Sequence, residues 1–429
     1  MLQYRTVLIA GSLIALAGAS AFAQGGAAAA PDTADDPVRT LVSRLDLEKY
    51  KATIKGLTQF GDRRQGTDRN RAAVDWIEKQ LQSYGCTPTA RITYTYTTPQ
   101  RGAGGGRGRG GDTTAAGRGG RGRGPVGPAG SVIAVGKSAT PAQGGGRNWG
   151  VRTRTGVNTD SLRQPDPAIR AIDAQPATDG ERQEVYCTKV GSTHPDEMYI
   201  LGGHMDGHGW GEAANDDGSG TALVMELARV FSSPDVKTER SIRFVLWNNE
   251  ETGTNGAQAY VNQRGPLQGK EDPAGSGTYP EPKWLGMIQH DMMLFDHGMP
   301  RPDGTLSPEQ RPEADVNIEF QSTAKAADGA QKLAWFLQSA NEKYATDYPA
   351  RVGQHMTNTD SRPFQDLVPA ISLRENERGE QIGAGWDPHW HQPTDVYSTF
   401  SDKDFRLGLN AAQTTLAGVA LLTGAKVQK

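Results

Sequence analysis

Cysteine is scarce in this 429-residue sequence, which contains only Cys86 and Cys187. A zinc site built from thiolates needs more cysteines, so the count excludes one. In an oxidising compartment the two residues could form one disulfide, and the alternative is two separate free thiols. The sequence alone leaves both alternatives open.

An excess of charge of one sign is also lacking. The chain has 46 basic and 49 acidic residues, which gives a formal net charge of −3. Such a balance offers no global reason to bind nucleic acid or an anionic membrane. Beyond the N-terminus, no segment is long and apolar enough to span a bilayer. We therefore expect no nucleic-acid partner and no stable membrane anchor, and the oligomeric state stays open.

The N-terminus has the organisation of a signal peptide. Arg5 supplies a positive charge, Val7 to Ala19 is largely apolar, and Ala21-Phe22-Ala23 offers small residues for cleavage. A retained anchor is the weaker alternative, because crossing a bilayer takes about 20 apolar residues. We predict that residues 1–23 are removed, that 24–37 are disordered, and that the mature protein is periplasmic or extracellular.

A Gly/Arg-rich tract at about 101–147 interrupts the folded pattern. Its composition cannot bury a core, so we predict a disordered segment or a long surface loop. Binding of nucleic acid or another polyanion is the functional alternative. We do not favour it, because the tract lacks interleaved aromatics and lies inside a single domain predicted over 38–425.

The remaining chain alternates short apolar strands with amphipathic helices. Alternation of this kind predicts an α/β fold with a mainly parallel central sheet, mixed at the edge and flanked by helices. The predicted strands after the tract are Glu184–Thr188, Met198–Leu201, Ile242–Trp247, Leu285–Ile288 and Ala370–Leu373. The predicted helices are Gly220–Phe231, Gly256–Gln263, about Gly329–Tyr344 and Asp402–Leu422.

Metal-type side chains come after several of these strands. His204 stands directly after an apolar strand and two glycines, at the sheet edge where α/β proteins collect their ligands. Asp206 is placed to orient that imidazole through its carboxylate. A lone histidine at such a place is more often structural, so the prediction of a metal site depends on the acidic residues further along the chain.

Two pairs of adjacent acids come next. Asp216-Asp217 precedes a helix, where acids also serve as caps, but an acidic pair with Gly-Ser-Gly after it favours ligands over a cap. Glu250-Glu251 ends a buried strand, where two carboxylates repel each other unless a cation or a shared proton compensates. One can coordinate a metal while its neighbour accepts a proton from water.

Asp291 comes after a further strand, and the loop 386–395 offers His389 and His391. Oxygen ligands with imidazoles and no thiolates suit zinc, with cobalt or manganese as substitutes. Three carboxylates with two imidazoles exceed what one catalytic zinc can use. The set therefore predicts two ions about 3.5–4 Å apart with a bridging carboxylate.

These motifs, in this order, resemble the co-catalytic zinc peptidase family of bacterial leucyl aminopeptidases, plasma glutamate carboxypeptidase and glutaminyl cyclases. The resemblance runs from about residue 38 to 422, apart from the tract and some loops. It implies a zinc aminopeptidase (phosphorylase/hydrolase-like) fold, a cis Asp216-Asp217 peptide and two Zn²⁺ per chain. It implies that His204 and Asp291 bind one ion, that Glu251 and His391 bind the other, and that Asp216 bridges both.

The resemblance also gives Glu250 the place of general base and Asp206 that of the acid supporting His204. His391 is preferred to His389 because His391 begins a His-x-Pro-x-Asp sequence typical of the family. The implied activity is hydrolysis of peptide bonds by an exopeptidase, most simply an aminopeptidase acting on peptide substrates. The sequence departs from the family at Thr359-Asp360-Ser361, which bears on the substrate pocket.

Alternatives within the family remain. A carboxypeptidase or dipeptidase would use the same zinc ligands, and a carboxypeptidase would add a cationic pocket. Glutaminyl cyclase activity or a non-catalytic binding role is less favoured, because neither the ligands nor the base is missing. The candidate cations are Arg351, Arg362, Arg374 and Arg378, and the candidate pocket aromatics are Trp210, Phe295, Phe364, Trp386 and Trp390. We expect the other histidines, at 194, 208, 290, 297 and 355, to lie outside the ligand set.

Overall fold

The computed structural model describes residues 36–99, 156–295, 316–354, 356, 358–375 and 387–428, and only the backbone of 136–137, 147–149 and 152–153. The predicted signal peptide, residues 24–35 and most of the Gly/Arg-rich tract lie outside these ranges. The described residues from Pro37 onward belong to one compact unit. Pro37, the last residue of the stretch predicted to be disordered, instead begins a helix.

The helices and strands follow the predicted alternation. The helices are α1 (Pro37–Val42), α2 (Leu47–Thr58), α3 (Asp68–Ser83), α4 (Pro167–Asp173), α5 (Gly218–Phe231), α6 (Asn255–Arg264), α7 (Ala327–Tyr344) and α8 (Asp402–Thr423). The strands are β1 (Thr89–Tyr96), β2 (Gly136–Lys137), β3 (Arg147–Trp149), β4 (Arg152–Thr153), β5 (Gly180–Lys189), β6 (His194–His204), β7 (Val236–Lys237), β8 (Arg240–Trp247), β9 (Lys283–His290), β10 (Val316–Phe320), β11 (Ala350–Gly353), β12 (Ala370–Arg374) and β13 (Lys426–Val427).

Eight of these strands form the main sheet, in the order β1-β5-β8-β6-β9-β12-β10-β11. The four central strands β8, β6, β9 and β12 run parallel to one another. Antiparallel pairs lie outside them, β1 with β5 and β5 with β8 on one side and β12 with β10 on the other. The predicted fold class, a mainly parallel sheet mixed at the edge, is confirmed.

Side chains of each central strand alternate between two apolar cores, as the period of a β-strand requires. On one face, Leu201 and Phe244 pack in a cluster with residues of α2, α5 and α8. On the other, Ile200 and Val245 pack with an aromatic group that includes Trp247, Tyr260, Trp284 and Phe364. The sheet is therefore buried on both sides, which explains why its strands are continuously apolar.

The register of the central strands brings their carboxyl ends to one level. His204 pairs with Trp247, Gly203 pairs with His290, and His290 pairs with Leu373. Residues that come after β6, β8 and β9 therefore emerge side by side at one edge, the place where open α/β sheets bind ligands. Gly203 also lets the first turn of α5 pack directly against β6, because a Cβ at this position would lie only 2.7 Å from the backbone of Gly220.

Several features were not predicted. Strands β10 and β11 extend the sheet, and α4 precedes β5. At the end of the Gly/Arg-rich tract and just after it, the backbone of β2 pairs with β3, and β3 pairs with β4, in a small antiparallel sheet. The pairing left open between the cysteines is formed, since Cys86 and Cys187 are bonded with an S–S distance of 2.04 Å. Among the described helices, none has the length and apolarity needed to cross a membrane.

Candidate metal centre

The predicted ligands meet at the carboxyl edge of the central strands. His204 ends β6, Asp291 comes directly after β9, and Asp216 lies just before α5. These three side chains form one group whose ligand atoms all lie within 4.8 Å of one another. The Nε2 atom of His204 is 3.3 Å from Oδ1 of Asp216 and 3.8 Å from Oδ1 of Asp291. All three are buried, so the group is shielded from bulk water.

A second group lies beside the first and contains Glu251, His391 and His208. Oε2 of Glu251 is 2.9 Å from Nε2 of His391 and 3.0 Å from Nε2 of His208. His391 also approaches Oδ2 of Asp216 at 3.0 Å. Asp216 thus turns one oxygen to each group, which is the arrangement predicted for a bridging carboxylate.

His208 is the member of this centre that the sequence did not predict. We expected it to lie outside the ligand set, yet its Nε2 atom faces Glu251. The signal available in the sequence was its position between Gly207 and Gly209, four residues after His204. A histidine in such a loop carries no periodicity that could have singled it out.

The structure separates the two histidines of the late loop as predicted. His391 joins the ligand group, whereas the Nδ1 atom of His389 lies 2.9 Å from Oγ1 of Thr394. Asp395, which closes the His-x-Pro-x-Asp sequence, accepts hydrogen bonds from the backbone N–H groups of Asn215 and Asp216, at 2.8 Å and 3.1 Å. That motif therefore holds the backbone of the shared carboxylate.

Asp206 contacts the imidazole of His204 through a different atom from the one predicted. Nδ1 of His204 lies 2.9 Å from the backbone carbonyl of Asp206, while the nearest carboxylate oxygen is 3.9 Å away. The carboxylate instead accepts a hydrogen bond of 3.0 Å from the backbone N–H of Glu250. The prediction that the Asp206 carboxylate orients the imidazole is wrong in this respect, because the backbone carbonyl of Asp206, and not its carboxylate, lies within hydrogen-bond distance of Nδ1 of His204.

Asp217 organises the start of α5 rather than joining either ligand group. Its Oδ2 accepts from the backbone N–H of His204 at 3.0 Å, and its Oδ1 accepts from those of Gly220 and Met292 at 2.8 Å and 3.1 Å. These bonds tie three of the elements that carry the centre to one side chain. The peptide between Asp216 and Asp217 is cis, as the family resemblance implied.

The electrostatics of the centre reflect many acids in a buried space. Burial raises the pKa of Glu250 to about 8, against the lowering effect of His204 and with the help of the charges of Glu251, Asp291 and Asp216. Burial opposes charge on His391 too, but Glu251 and Asp216 outweigh it and raise the pKa of that imidazole to about 9. Carboxylates crowded in this way favour a bound cation.

Arg374, at the end of β12, supports one half of the centre. Its Nη2 atom donates to Oδ2 of Asp291, the oxygen that does not face His204, and to the backbone carbonyl of Asn358 at 3.2 Å. Both side chains of this pair are buried. Arg374 therefore orients Asp291 and is the one candidate cation among the described residues that lines the cleft.

The remaining predicted pocket residues divide between packing and the cleft. Phe364 is fully buried, with its ring 5.3 Å from that of Trp284, so it belongs to the core. Trp390 lines the cleft and stacks on His391 with ring centroids 3.8 Å apart. His290 is structural, because its two ring nitrogens contact the Gly202 carbonyl and the Thr415 hydroxyl. Trp386, Arg378, His297 and His355 lie outside the described residues.

The donor set fits zinc. Zinc binds imidazole nitrogen and carboxylate oxygen at about 2.0–2.2 Å, so ligand atoms around a tetrahedral ion lie about 3.3–3.5 Å apart. The N···O separations of 2.9–3.8 Å in the two groups bracket that spacing. In addition, Oε1 of Glu251 is buried and has no hydrogen-bond partner among the described residues, as expected of an oxygen beside a cation site.

Comparison with known proteins agrees with this description. Residues 184–413 match the family model of peptidase family M28. Carboxypeptidase Q of Xenopus laevis is 37% identical over 71 residues, and aminopeptidase YwaD of Bacillus subtilis is 41% identical over 69 residues. These stretches cover 17% and 16% of this chain but only 15% and 14% of the two relatives.

Among solved structures, the fold is similar to that of BSAP, a zinc aminopeptidase from Bacillus subtilis, with a TM-score of 0.54 and 13% identity. The similarity covers 90% of this chain and 96% of that one. The strand-edge cluster of carboxylates and imidazoles on this sheet is a candidate zinc centre. The chain belongs to peptidase family M28.

Proposed function

We propose that this protein is an aminopeptidase that holds two zinc ions per chain and removes N-terminal residues from peptides. The observation that carries the proposal is the position of Asp216, whose two oxygens face two separate ligand groups. One ion would be held by His204, Asp216 and Asp291, and the other by Asp216, Glu251 and His391. Both sites open onto the cleft that these side chains line.

Bound zinc lowers the pKa of a coordinated water molecule and polarises a substrate carbonyl. Glu250 supplies the proton-transfer group in this proposal. Its side chain lines the same cleft, yet it belongs to neither ligand group among the described residues. Its carboxylate is therefore free to accept a proton from the attacking water and to return it to the leaving amine.

The charges of the cleft favour an aminopeptidase over a carboxypeptidase. Four acidic residues line it (Asp216, Glu250, Glu251 and Asp291), and their negative charge attracts an α-ammonium group and repels a free carboxylate. A carboxypeptidase would need a cation available to the substrate. Arg374 is at the cleft, but it is engaged by Asp291. Its presence there keeps carboxypeptidase activity as the second candidate.

Three kinds of substrate separate these candidates. We expect hydrolysis of leucyl and phenylalanyl p-nitroanilides, no hydrolysis of their N-acetyl derivatives, and loss of activity with a chelator that zinc restores. The N-acetyl compounds keep the leaving group and remove only the ammonium. Cleavage of N-blocked dipeptides with a free carboxylate, without cleavage of the aminoacyl anilides, would refute the aminopeptidase proposal and leave the carboxypeptidase.

Export is part of the same proposal. The pattern of residues 1–23 supports it, and so does the bond between Cys86 and Cys187, because structural disulfides persist in oxidising compartments. The mature protein should begin at Gln24 and be recovered from the periplasm or the medium. Mass spectrometry of the purified protein tests this, and an intact N-terminus on cytoplasmic protein would contradict it.

A further inference from the structure

We infer that His208 is a fourth protein ligand of the ion held by Glu251 and His391. The inference rests on the proposed two-zinc function and goes beyond it. Nε2 of His208 and Nε2 of His391 both lie within 3.0 Å of the same carboxylate oxygen, Oε2 of Glu251. The three residues form one of the two candidate ligand groups in the described part of the chain, with ligand atoms that all lie within 4.8 Å of one another.

The geometry favours a shared ion over a hydrogen bond. Although Nε2 of His208 is 3.0 Å from Glu251, it is buried and has no aligned hydrogen-bond partner among the described residues. A close but misaligned N···O contact is what two ligands of one ion give, because each atom points at the ion and not at the other. The rings of His208 and His391 stand edge to face, at 86° with centroids 4.1 Å apart, so both nitrogens can reach one point.

The loop that carries His208 is held in place on both sides. A Cβ on Gly207 would lie 2.5 Å from the Ala213 side chain, and one on Gly209 would lie 2.5 Å from the backbone of His391. Gly209 therefore lets the His208 loop pack directly against the His391 loop. The Gly209 carbonyl accepts a hydrogen bond of 3.2 Å from Asn158, whose backbone N–H donates to the His391 carbonyl at 3.0 Å. Asn158 thus joins the two loops.

This ligand makes the two ions unequal. The ion at His204 has three protein ligands and keeps an open position, which catalytic zinc requires. The ion at His391 gains a fourth protein ligand, and four-ligand sites are the closed kind that hold zinc as structure. The inference therefore predicts that the His391 side retains its ion longer than the His204 side.

Metal binding by variants tests this without reference to activity. Metal-free wild type, His208→Ala, His208→Gln and the control His194→Ala would be titrated with Co²⁺ and Zn²⁺ in competition with a chelator, with the visible cobalt band recorded. His194 is exposed at the opposite end of β6, so its loss should change nothing. Thermal unfolding of each metal-free variant checks that the fold is retained.

We expect His208→Ala to bind one ion as the wild type does and the second more than about 100-fold more weakly. Loss of a residue that only contacts a metal ligand already lowers metal affinity about 10–100-fold, so loss of a ligand should lower it more. His208→Gln keeps an N–H donor for Glu251 but no imidazole, and should be as weak as the alanine variant. Wild-type affinity for both ions in His208→Ala, or restored affinity in His208→Gln, would overturn the inference. A wild type that binds only one ion would instead refute the two-zinc proposal itself.

Discussion

The two halves of the metal centre are built in different ways. On the His204 side, the ligands stand at or next to the ends of adjacent parallel strands, and backbone register sets their spacing. On the His391 side, His208 and His391 come from two loops that pack against each other. The exposed fraction of the side chain is 1% for His204 and 17% for His208. One half therefore depends on the sheet, and the other on loop packing.

This contrast implies that the two halves differ in how strongly a substitution disturbs their ligands. A ligand on a strand end moves only if the sheet moves, whereas a ligand on a loop depends on a few contacts such as those of Asn158. Asp216 belongs to both halves, and Asp395 holds its backbone. Substitutions can therefore be chosen that affect both halves, one half, or neither.

Loss of the shared carboxylate should have the largest effect. Asp216→Ala removes a ligand from both groups, so we expect weaker binding of both ions, with the ion at His204 lost first, and a fall in turnover of more than about 1,000-fold. Elemental analysis after dialysis and a p-nitroanilide assay measure the two quantities. Asp328→Ala, on the exposed first turn of α7, is the control. Wild-type affinity for either ion in Asp216→Ala would show that the halves do not share this residue.

Loss of the proton acceptor should leave both halves intact. Glu250→Gln keeps the shape of the side chain and its backbone N–H bond to Asp206, but it cannot accept a proton. We expect turnover to fall by about 100- to 10,000-fold with zinc content unchanged. Activity near that of the wild type would refute Glu250 as the base, and loss of zinc would place it among the ligands.

Removal of Arg374 should weaken metal binding only on the His204 side of the centre. Arg374→Met keeps a buried chain of similar length but leaves Asp291 without its partner, so we expect affinity for the weaker-held ion to fall about 10–100-fold. Arg240→Met is a matched control, because Arg240 pairs with Glu197 at the other end of the sheet, at 2.7 Å. Equal loss of both ions would contradict the separation of the halves.

Removal of the disulfide should affect neither half. Replacing both Cys86 and Cys187 by Ala opens a link that spans 101 residues, and we expect the free energy of unfolding to fall by about 2–5 kcal/mol. Chemical denaturation measures this change. Zinc content and turnover should be unchanged at 25 °C, and a folded variant that had lost an ion would link the disulfide to the centre.

The His204 half could be predicted from the pattern of strands, whereas His391 was predicted from the family resemblance and His208 was not predicted. The apolar runs before His204 and Asp291 indicate both the strands and the edge of the sheet where the ligands emerge, because parallel strands place their carboxyl ends together. The fold class was predicted from the alternation of strands and helices along the chain. Strands β10 and β11 were missed, because each is short and β10 carries the buried polar residues Asn317 and Glu319.

The features that could not be predicted depend on contacts between distant loops. His208 enters the centre because Gly209 packs on the backbone at His391, which lies 182 residues away in the sequence (391 − 209). The choice between the carbonyl and the carboxylate of Asp206 depends on the path of a few backbone atoms after β6. No periodicity or motif encodes either outcome.

The most direct test is a zinc-soaked crystal of the mature protein, with the ions placed by anomalous scattering at the zinc edge. Two ions about 3.5–4 Å apart, with one oxygen of Asp216 on each, are the expected result. A single ion, or two ions that do not share Asp216, would contradict the account of a centre built from two unlike halves.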